Sequence, residues 1–188
     1  EVGKKVKVRD LIQGVIVQSG NDASIVLAEH IAGGEEFFVT MLNKLAKDMD
    51  LRNTKFKNVT GMPDKDHYTS ARDLAILSKK LIEDFPTQYK RFSQKKYTYN
   101  SITQRNRNRL LTTYEIADGI KTGHTSTAGY CLSASAEMGS TRFVATLFGA
   151  NSSKARFKYG LIKEGEHFFK VNRIVETEAS TENDKATL

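Results

Sequence analysis

Cysteine is almost missing from these 188 residues: Cys131 stands alone, which excludes an internal disulfide framework and a cysteine-built zinc site. Tryptophan is absent. Long apolar runs are absent too. The longest extend only a few residues, such as Ile25 to Ala28, against the roughly 20 a helix needs to cross a bilayer. The lone cysteine does not decide a compartment, because a protein of an oxidising compartment need not carry disulfides. No secretory leader opens the sequence, which starts on the charged stretch Glu1-Val-Gly-Lys-Lys-Val-Lys-Val-Arg9. Acids are missing between Lys90 and Arg109, where seven bases stand: Lys90, Arg91, Lys95, Lys96, Arg105, Arg107 and Arg109.

What is present reads as folded and globular, with 39% apolar and 27% charged residues and enough chain for most of one domain with a core. The net charge is +7, although Glu176 to Leu188 holds four acids and one base. A basic run of this kind meets nucleic acid, an anionic polymer or a carboxylate-bearing ligand, or is a solvated face. It contains no recognisable nucleic-acid motif, so no nucleic-acid partner is expected.

The hydrophobic period is helical at first. Leu11, Ile12, Val15 and Ile16 predict a helix that Asp10 caps. Ser19-Gly20-Asn21-Asp22 interrupts it, and a second helix carries Val26, Leu27, His30 and Ile31 on one side up to Gly33-Gly34. Phe37, Phe38, Met41, Leu42, Leu45, Ala46 and Met49 form a broad stripe that predicts a third helix packed on a core. Lys55 to Val59 reads as extended. Ser70-Ala-Arg-Asp73 resembles a capping box opening a helix that ends near Pro86, and Lys95 to Tyr99 suits a strand. Farther on the period becomes two. Tyr130, Leu132, Ala134 and Ala136 alternate with Cys131, Ser133 and Ser135, and Phe143 to Phe148 follows a turn, which predicts an antiparallel hairpin. A last helix is expected from about Ser152 to Phe169. The class is α+β with an antiparallel sheet.

Two triplets carry the chemistry: Ser19-Gly20-Asn21 and Lys121-Thr122-Gly123. The first lies at a break between helices, where a hydroxyl can relay a proton and an amide can donate to a carbonyl. The second directly precedes the hairpin, where an ammonium and a hydroxyl can bind a carboxylate and a glycine admits a peptide close to the strand. Taken alone, Ser19 reads equally as a helix cap and Lys121 as an exposed edge-strand lysine.

In this order the triplets resemble the second and third motifs of the penicillin-binding proteins and serine β-lactamases. The chain is more specifically similar to the D-alanyl-D-alanine carboxypeptidases, the low-molecular-mass penicillin-binding proteins. The matching stretches are Gly14-Val-Ile-Val-Gln-Ser-Gly-Asn-Asp-Ala23, Tyr68-Thr-Ser-Ala-Arg-Asp-Leu-Ala75, Asn106-Arg-Asn-Arg-Leu-Leu111 and Asp118-Gly-Ile-Lys-Thr-Gly-His-Thr125, with Ala128-Gly-Tyr130. S-G-N in place of S-D-N favours the carboxypeptidase branch. The resemblance implies a β-lactamase/transpeptidase-like α+β fold, a helical cluster on an antiparallel sheet over residues 1–175, with 176–188 as an acidic linker or tail.

The family's nucleophile is the serine of a helical S-x-x-K upstream of S-x-N, and no serine precedes Ser19. The S-x-x-K at Ser93-Gln-Lys-Lys96 falls after S-x-N in an expected strand, where residues three apart point to opposite faces. It is not the nucleophile. The resemblance therefore implies an incomplete catalytic domain, without the segment bearing the acylated serine and its lysine base. It also implies that the C-terminal β-rich domain and membrane anchor are absent here, so membrane association would run through those segments only. An exported enzyme of the periplasm or the outer face of the cytoplasmic membrane is expected.

Its implied reaction is removal of the terminal D-alanine from peptidoglycan stem peptides ending in D-Ala-D-Ala, with β-lactams trapped at the acylation step and no metal or organic cofactor. Ser19, Asn21 and Lys121 would be catalytic, and Thr122, Gly123, His124 and Arg107 would bind substrate. Arg107 alternatively pairs with a carboxylate such as Asp118 or Asp73. Cys131 fits a small buried hydrophobe. A β-lactamase and a non-catalytic peptidoglycan-binding module are the competing readings.

Overall fold

A computed structural model describes residues 3–159 together with Phe169–Lys170 and Ala186–Thr187. The chain opens with α1 (Val8–Gln13), which widens into a π-turn (Gly14–Gln18), then α2 (Asn21–Ala32) and α3 (Glu35–Asp48). Asp10 does not cap α1. Lys7 occupies that position, and its carbonyl accepts from Asp10 N at 2.8 Å, so the helix starts one half-turn earlier than the apolar period suggests.

The apolar stripes of α2 and α3 are only partly covered among the described residues. Ala23, Ala28 and Ala46 are the buried positions, while Val26, Ile31, Phe37, Met41 and Leu45 are exposed. The helix pair closes through its small residues, and one edge of each wider stripe is left outside that contact. The segment Lys55 to Val59 is a strand at Lys55 only, bridged to Tyr68. Asn43 of α3 clips the rest, taking the Phe56 N–H at 2.8 Å and donating to the Phe56 carbonyl at 2.8 Å. This side chain supplies the pairing that a neighbouring strand otherwise would.

β1 (Tyr68–Thr69) pairs with β8 (Ala186–Thr187), so this part of the acidic tail is ordered against the body; residues 176–185 lie outside the described residues. Ser70 caps α4 (Ala71–Asp84) by accepting from Asp73 N at 3.1 Å. Asp73 completes no reciprocal box. Its buried carboxylate accepts from Asn53 N and Thr54 Oγ1, both at 2.7 Å, and ties the preceding loop to the helix. Pro86 both stops α4 and opens α5 (Pro86–Tyr89), since its missing N–H is harmless at a first turn. A 3₁₀ turn (Lys90–Ser93) leads to the hairpin of β2 (Lys96–Tyr99) and β3 (Ile102–Arg105), whose second strand the sequence reading did not anticipate.

After α6 (Leu110–Thr113) comes the main antiparallel sheet, in the order β4 (Ala117–Thr125), β5 (Gly129–Met138), β6 (Thr141–Ala150) and β7 (Phe169–Lys170), with α7 (Ser153–Tyr159) inserted before β7. The last helix therefore does not run to Phe169, which belongs to a strand paired with Val144; Ile162 lies outside the described residues. The hairpin predicted from the alternating residues is β5–β6.

Cys131 through Ala136 are all buried, on both faces of β5. Leu132 and Ala134 pack with Leu110 and Phe157, from α6 and α7. Ser133 and Ser135 face the other layer, where Ser133 Oγ meets Ser78 Oγ of α4 at 2.8 Å and Ser135 Oγ meets the Tyr89 hydroxyl of α5. Each serine is buried because it is hydrogen-bonded, which is why an apolar–polar alternation does not mark a solvent face here. The sheet thus lies between two layers.

The network around Ser135 leaves no room beside Gly119. A methyl there would overlap the Tyr89 hydroxyl and sit 2.9 Å from Ser135 Oγ. Gly119→Ala is expected to destabilise the fold by about 2–3 kcal/mol, measured by equilibrium urea unfolding.

His67 is 1% exposed, edge-on to the Phe56 ring, and neither of its ring nitrogens has a hydrogen-bond partner among the described residues. Burial holds its pKa below the usual 6.5, with Asp64 opposing weakly. The folded state therefore binds fewer protons than the unfolded one in that window. The associated stability is complete above about pH 6.5 and is lost as pH falls through the folded-state value. Thermal melts followed by circular dichroism should show Tm declining on acidification through this range, and His67→Leu should flatten that part of the slope.

Candidate active site

Ser19 owes its position to a change in helix geometry. The π-turn after α1 ends with Ser19 in the left-handed region, at φ 61° and ψ 43°, held by its N–H to the Val15 carbonyl at 3.0 Å. A residue with a Cβ enters this region at a cost of about 1–2 kcal/mol. The turn lifts Ser19 out of the helix and leaves it exposed, and α2 restarts two residues later. Asn21 is the first residue of α2 and is exposed, one peptide beyond Gly20.

Lys121 reaches this turn from the sheet. On β4 it stands opposite Ser133, so its side chain lies on the sheet face that Ser133 presents to α4. Among the described residues β4 is an edge strand. The Lys121 ammonium donates to Ser19 Oγ at 2.8 Å and to the Thr122 carbonyl at 2.8 Å. Burial pushes its pKa down to about 8, and the Arg107 and Arg156 guanidiniums push in the same direction.

Arg107 is placed by its neighbours. Asn106 and Asn108 are buried on either side of it. Asn108 Nδ2 donates to the Gly119 carbonyl at 2.9 Å, and Asn106 Oδ1 accepts from Asn108 N at 2.9 Å. The arginine between them faces outward, and its Nε donates to the Gln18 carbonyl at 2.9 Å. Neither carboxylate offered as its partner is available: Asp118 binds Arg142 at 2.5 Å, and Asp73 is occupied by Asn53 and Thr54. Among the described residues, no carboxylate forms an ion pair with Lys121, Arg107 or Arg156.

Lys121, Arg107 and Arg156 thus gather positive charge with no paired carboxylate among the described residues, and one of them donates to a serine hydroxyl. The comparison with known proteins shows the family of the chain. Residues 1–152 match the family model described as D-alanyl-D-alanine carboxypeptidase, of the peptidase S11 group.

The chain belongs to the D-alanyl-D-alanine carboxypeptidase family.

Among curated members of that family, the D-alanyl-D-alanine carboxypeptidase DacC of Escherichia coli is 42% identical over 181 residues, 95% of this chain and 45% of the relative. Penicillin-binding protein 5 of Haemophilus influenzae superposes with a TM-score of 0.81 at 45% identity, over 84% of this chain and 46% of that one. The ampicillin-bound form of penicillin-binding protein D2 from Listeria monocytogenes has a TM-score of 0.75 at 31% identity, over 84% and 66%. The chain thus spans less than half the length of the curated DacC it matches. The expected α+β fold of this carboxypeptidase and transpeptidase group holds.

Of the residues expected from sequence, the fold brings Ser19 and Lys121 into direct contact and sets Arg107 beside them through Gln18. Thr122 stands opposite Leu132, on the other face of the sheet from Lys121, and is 7% exposed. Gly123 is exposed near the end of β4, and a methyl there would meet only the Cys131 Cβ, at 3.6 Å. His124 is exposed and rests on the Tyr130 ring, centroids 4.0 Å apart. Cys131 is buried, its thiol pKa raised by burial.

Sequence reading missed Arg156 of α7. This residue is 6% exposed, donates to the Gly123 carbonyl at 2.9 Å and lies over the Tyr130 and Phe157 rings. It clamps the strand that carries Lys121 and adds positive field there. A lone arginine on a short amphipathic helix gives no motif from which this could be read.

Proposed function

We propose that the protein is a serine D-alanyl-D-alanine carboxypeptidase acting on peptidoglycan stem peptides outside the cytoplasm, and that β-lactams acylate it. The observation that carries this reading is the 2.8 Å hydrogen bond from Lys121 Nζ to Ser19 Oγ at a cationic strand edge, within a chain of this family. The nucleophile is a serine of an S-x-x-K helix supplied by a segment outside these residues. Its oxygen attacks the carbonyl between the two D-alanines, and its proton passes to the lysine of the same motif. The C–N bond breaks, and Ser19 delivers a proton to the departing D-alanine amine, with Lys121 supporting the relay. Water then hydrolyses the ester.

Lys121 and Arg107 attract the terminal carboxylate, with Thr122, Gly123 and His124 along the strand that lies beside it, while the Asn21 amide holds the peptide. The stem peptide lies along the open edge of β4. No described helix is long and apolar enough to cross a membrane, and attachment to one belongs to other segments.

The pH profile tests the charge on Lys121. With its pKa at about 8, the ammonium is present below that value and lost above it. Acylation by a fluorescent penicillin in the full-length enzyme should therefore fall as pH rises through about 8. Lys121→Arg should move that limb to higher pH. A rate that climbs through pH 8 would give Lys121 the role of a neutral base and overturn the reading.

A further inference from the structure

The bond between Lys121 Nζ and Ser19 Oγ has little slack. At 2.8 Å, it is lost once the turn and β4 part by about 1 Å. Among the described residues, it is the one hydrogen bond that runs directly between β4 and the π-turn with its terminal Ser19. A lysine on a flexible four-carbon stem does not hold two backbone elements to that tolerance. Another part of the chain sets the gap.

The segment 105–108 runs between the two elements. Burial alternates along it, with Asn106, Asn108 and then Leu110 inside and Arg105, Arg107 and Arg109 outside. Its first end is tied to the π-turn by three bonds. The Arg107 N–H donates to the Val17 carbonyl at 3.3 Å, Arg107 Nε to the Gln18 carbonyl at 2.9 Å, and Gln18 Nε2 to the Arg105 carbonyl at 2.6 Å. Val17 is 0% exposed, so this end is seated in the core. At the other end Asn108 Nδ2 donates to the Gly119 carbonyl at 2.9 Å, two residues before Lys121 on β4.

Asn106 holds the piece between in shape. Its Nδ2 donates to the Gln94 carbonyl, and its Oδ1 accepts from Asn108 N, both at 2.9 Å. Asn108 is 1% exposed, and its Oδ1 accepts from Leu110 N at 3.2 Å while its Nδ2 holds β4. An amide alone does both, because it carries an acceptor and a donor on one planar group; leucine has neither and a carboxylate lacks the donor.

We propose that residues 105–108 form a strap that fixes the spacing of Ser19 and Lys121, with Asn108 and Gln18 as positioning residues. The proposal rests on the reading of Ser19 and Lys121 as the proton relay. Neither Asn108 nor Gln18 meets the reacting atoms. Asn108 acts through the Gly119 carbonyl, and Gln18 through the Arg105 carbonyl and its own place beside Ser19. The strap also carries Arg107, one of the two guanidiniums that disfavour charge on Lys121. One loosening therefore lengthens the relay bond and relieves that repulsion together.

The test compares Asn108→Ala and Gln18→Leu with the parent in the full-length enzyme. Two quantities are read: the saturating rate of acylation by a fluorescent penicillin, and the Lys121 titration by NMR on labelled lysine. The rate should fall at least about tenfold, as a misplacement of about 1 Å does. The Lys121 midpoint should rise by about one unit, because distance from Arg107 and better solvation both favour the ammonium. Asn43→Ala removes a comparable amide clip, the one between α3 and Phe56, and should lower Tm while leaving rate and midpoint unchanged. That is the signature of a purely structural loss. Where Asn108→Ala does not fold, Gln18→Leu decides, since its side chain is only half-buried. A folded strap variant whose rate stays within about twofold of the parent, or whose Lys121 midpoint does not move, would overturn the proposal. So would an equal shift in Asn43→Ala. A parent enzyme that no penicillin acylates would overturn the carboxypeptidase reading instead, and the Lys121 titration would still decide the strap.

Discussion

Replacing Lys121 with alanine should lower penicillin acylation of the full-length enzyme by about 10²–10⁴-fold without loss of folding. The ammonium donates to two groups at once, the Ser19 hydroxyl and the Thr122 carbonyl, both at 2.8 Å, and in the proposed mechanism it also attracts the substrate carboxylate. Removing it leaves Ser19 without its partner for proton relay and removes the central charge of the site. The fold should tolerate the change for an electrostatic reason. Burial and two neighbouring guanidiniums disfavour a charge at this position, as the lowered pKa of about 8 records. Lys121→Met should therefore be at least as stable as the parent while being equally impaired, a trade of stability for function at one residue. Stopped-flow acylation gives the rate, and thermal melts give the stability. A loss below about threefold would remove Lys121 from the acylation machinery.

Residues 1–188 by themselves should form no covalent adduct with a labelled penicillin, and joining them to a segment that carries a helical S-x-x-K should restore labelling. The all-or-none contrast follows from where the serines are. Ser93 ends the 3₁₀ turn and donates its hydroxyl to the Lys90 carbonyl at 2.9 Å, while Lys96 already belongs to β2. Serine and lysine in this stretch never share a helical face. Ser19 Oγ is held by a lysine ammonium, which can donate to it but cannot take its proton while charged. Intact-mass spectrometry reads the result. A penicilloyl adduct on Ser19 or Ser93 would overturn the proposed division of roles between these residues and an S-x-x-K segment.

Much of the architecture was readable because local rules and tertiary packing agree. Ser70 caps its helix as the capping pattern requires, Pro86 ends one helix and starts another, and the hairpin β5–β6 follows the period of two. The reading failed where a distant side chain replaced a local interaction. Asp10 yields its cap to Lys7, Asn43 holds Phe56 in place of a strand, and Phe169 pairs with β6 instead of extending α7. The exposed half of the α3 stripe is a further case, since periodicity shows that a face is apolar and not what covers it.

The same division runs through the site. The two triplets and the stretches around them determined the family, because residue type and order are properties of the chain itself. Sequence also shows a single cysteine, and no serine before Ser19 within these 188 residues. Only the tertiary structure decided how the pieces meet. Ser19 and Lys121 are 102 positions apart and come within 2.8 Å because a π-turn and an edge strand converge. It also set Arg107 of the basic run on the Gln18 carbonyl, beside the turn that carries Ser19. Charge is written in the sequence one residue at a time. The field it makes, and the pKa it imposes on Lys121, depend on distances and burial that exist only once the chain has folded.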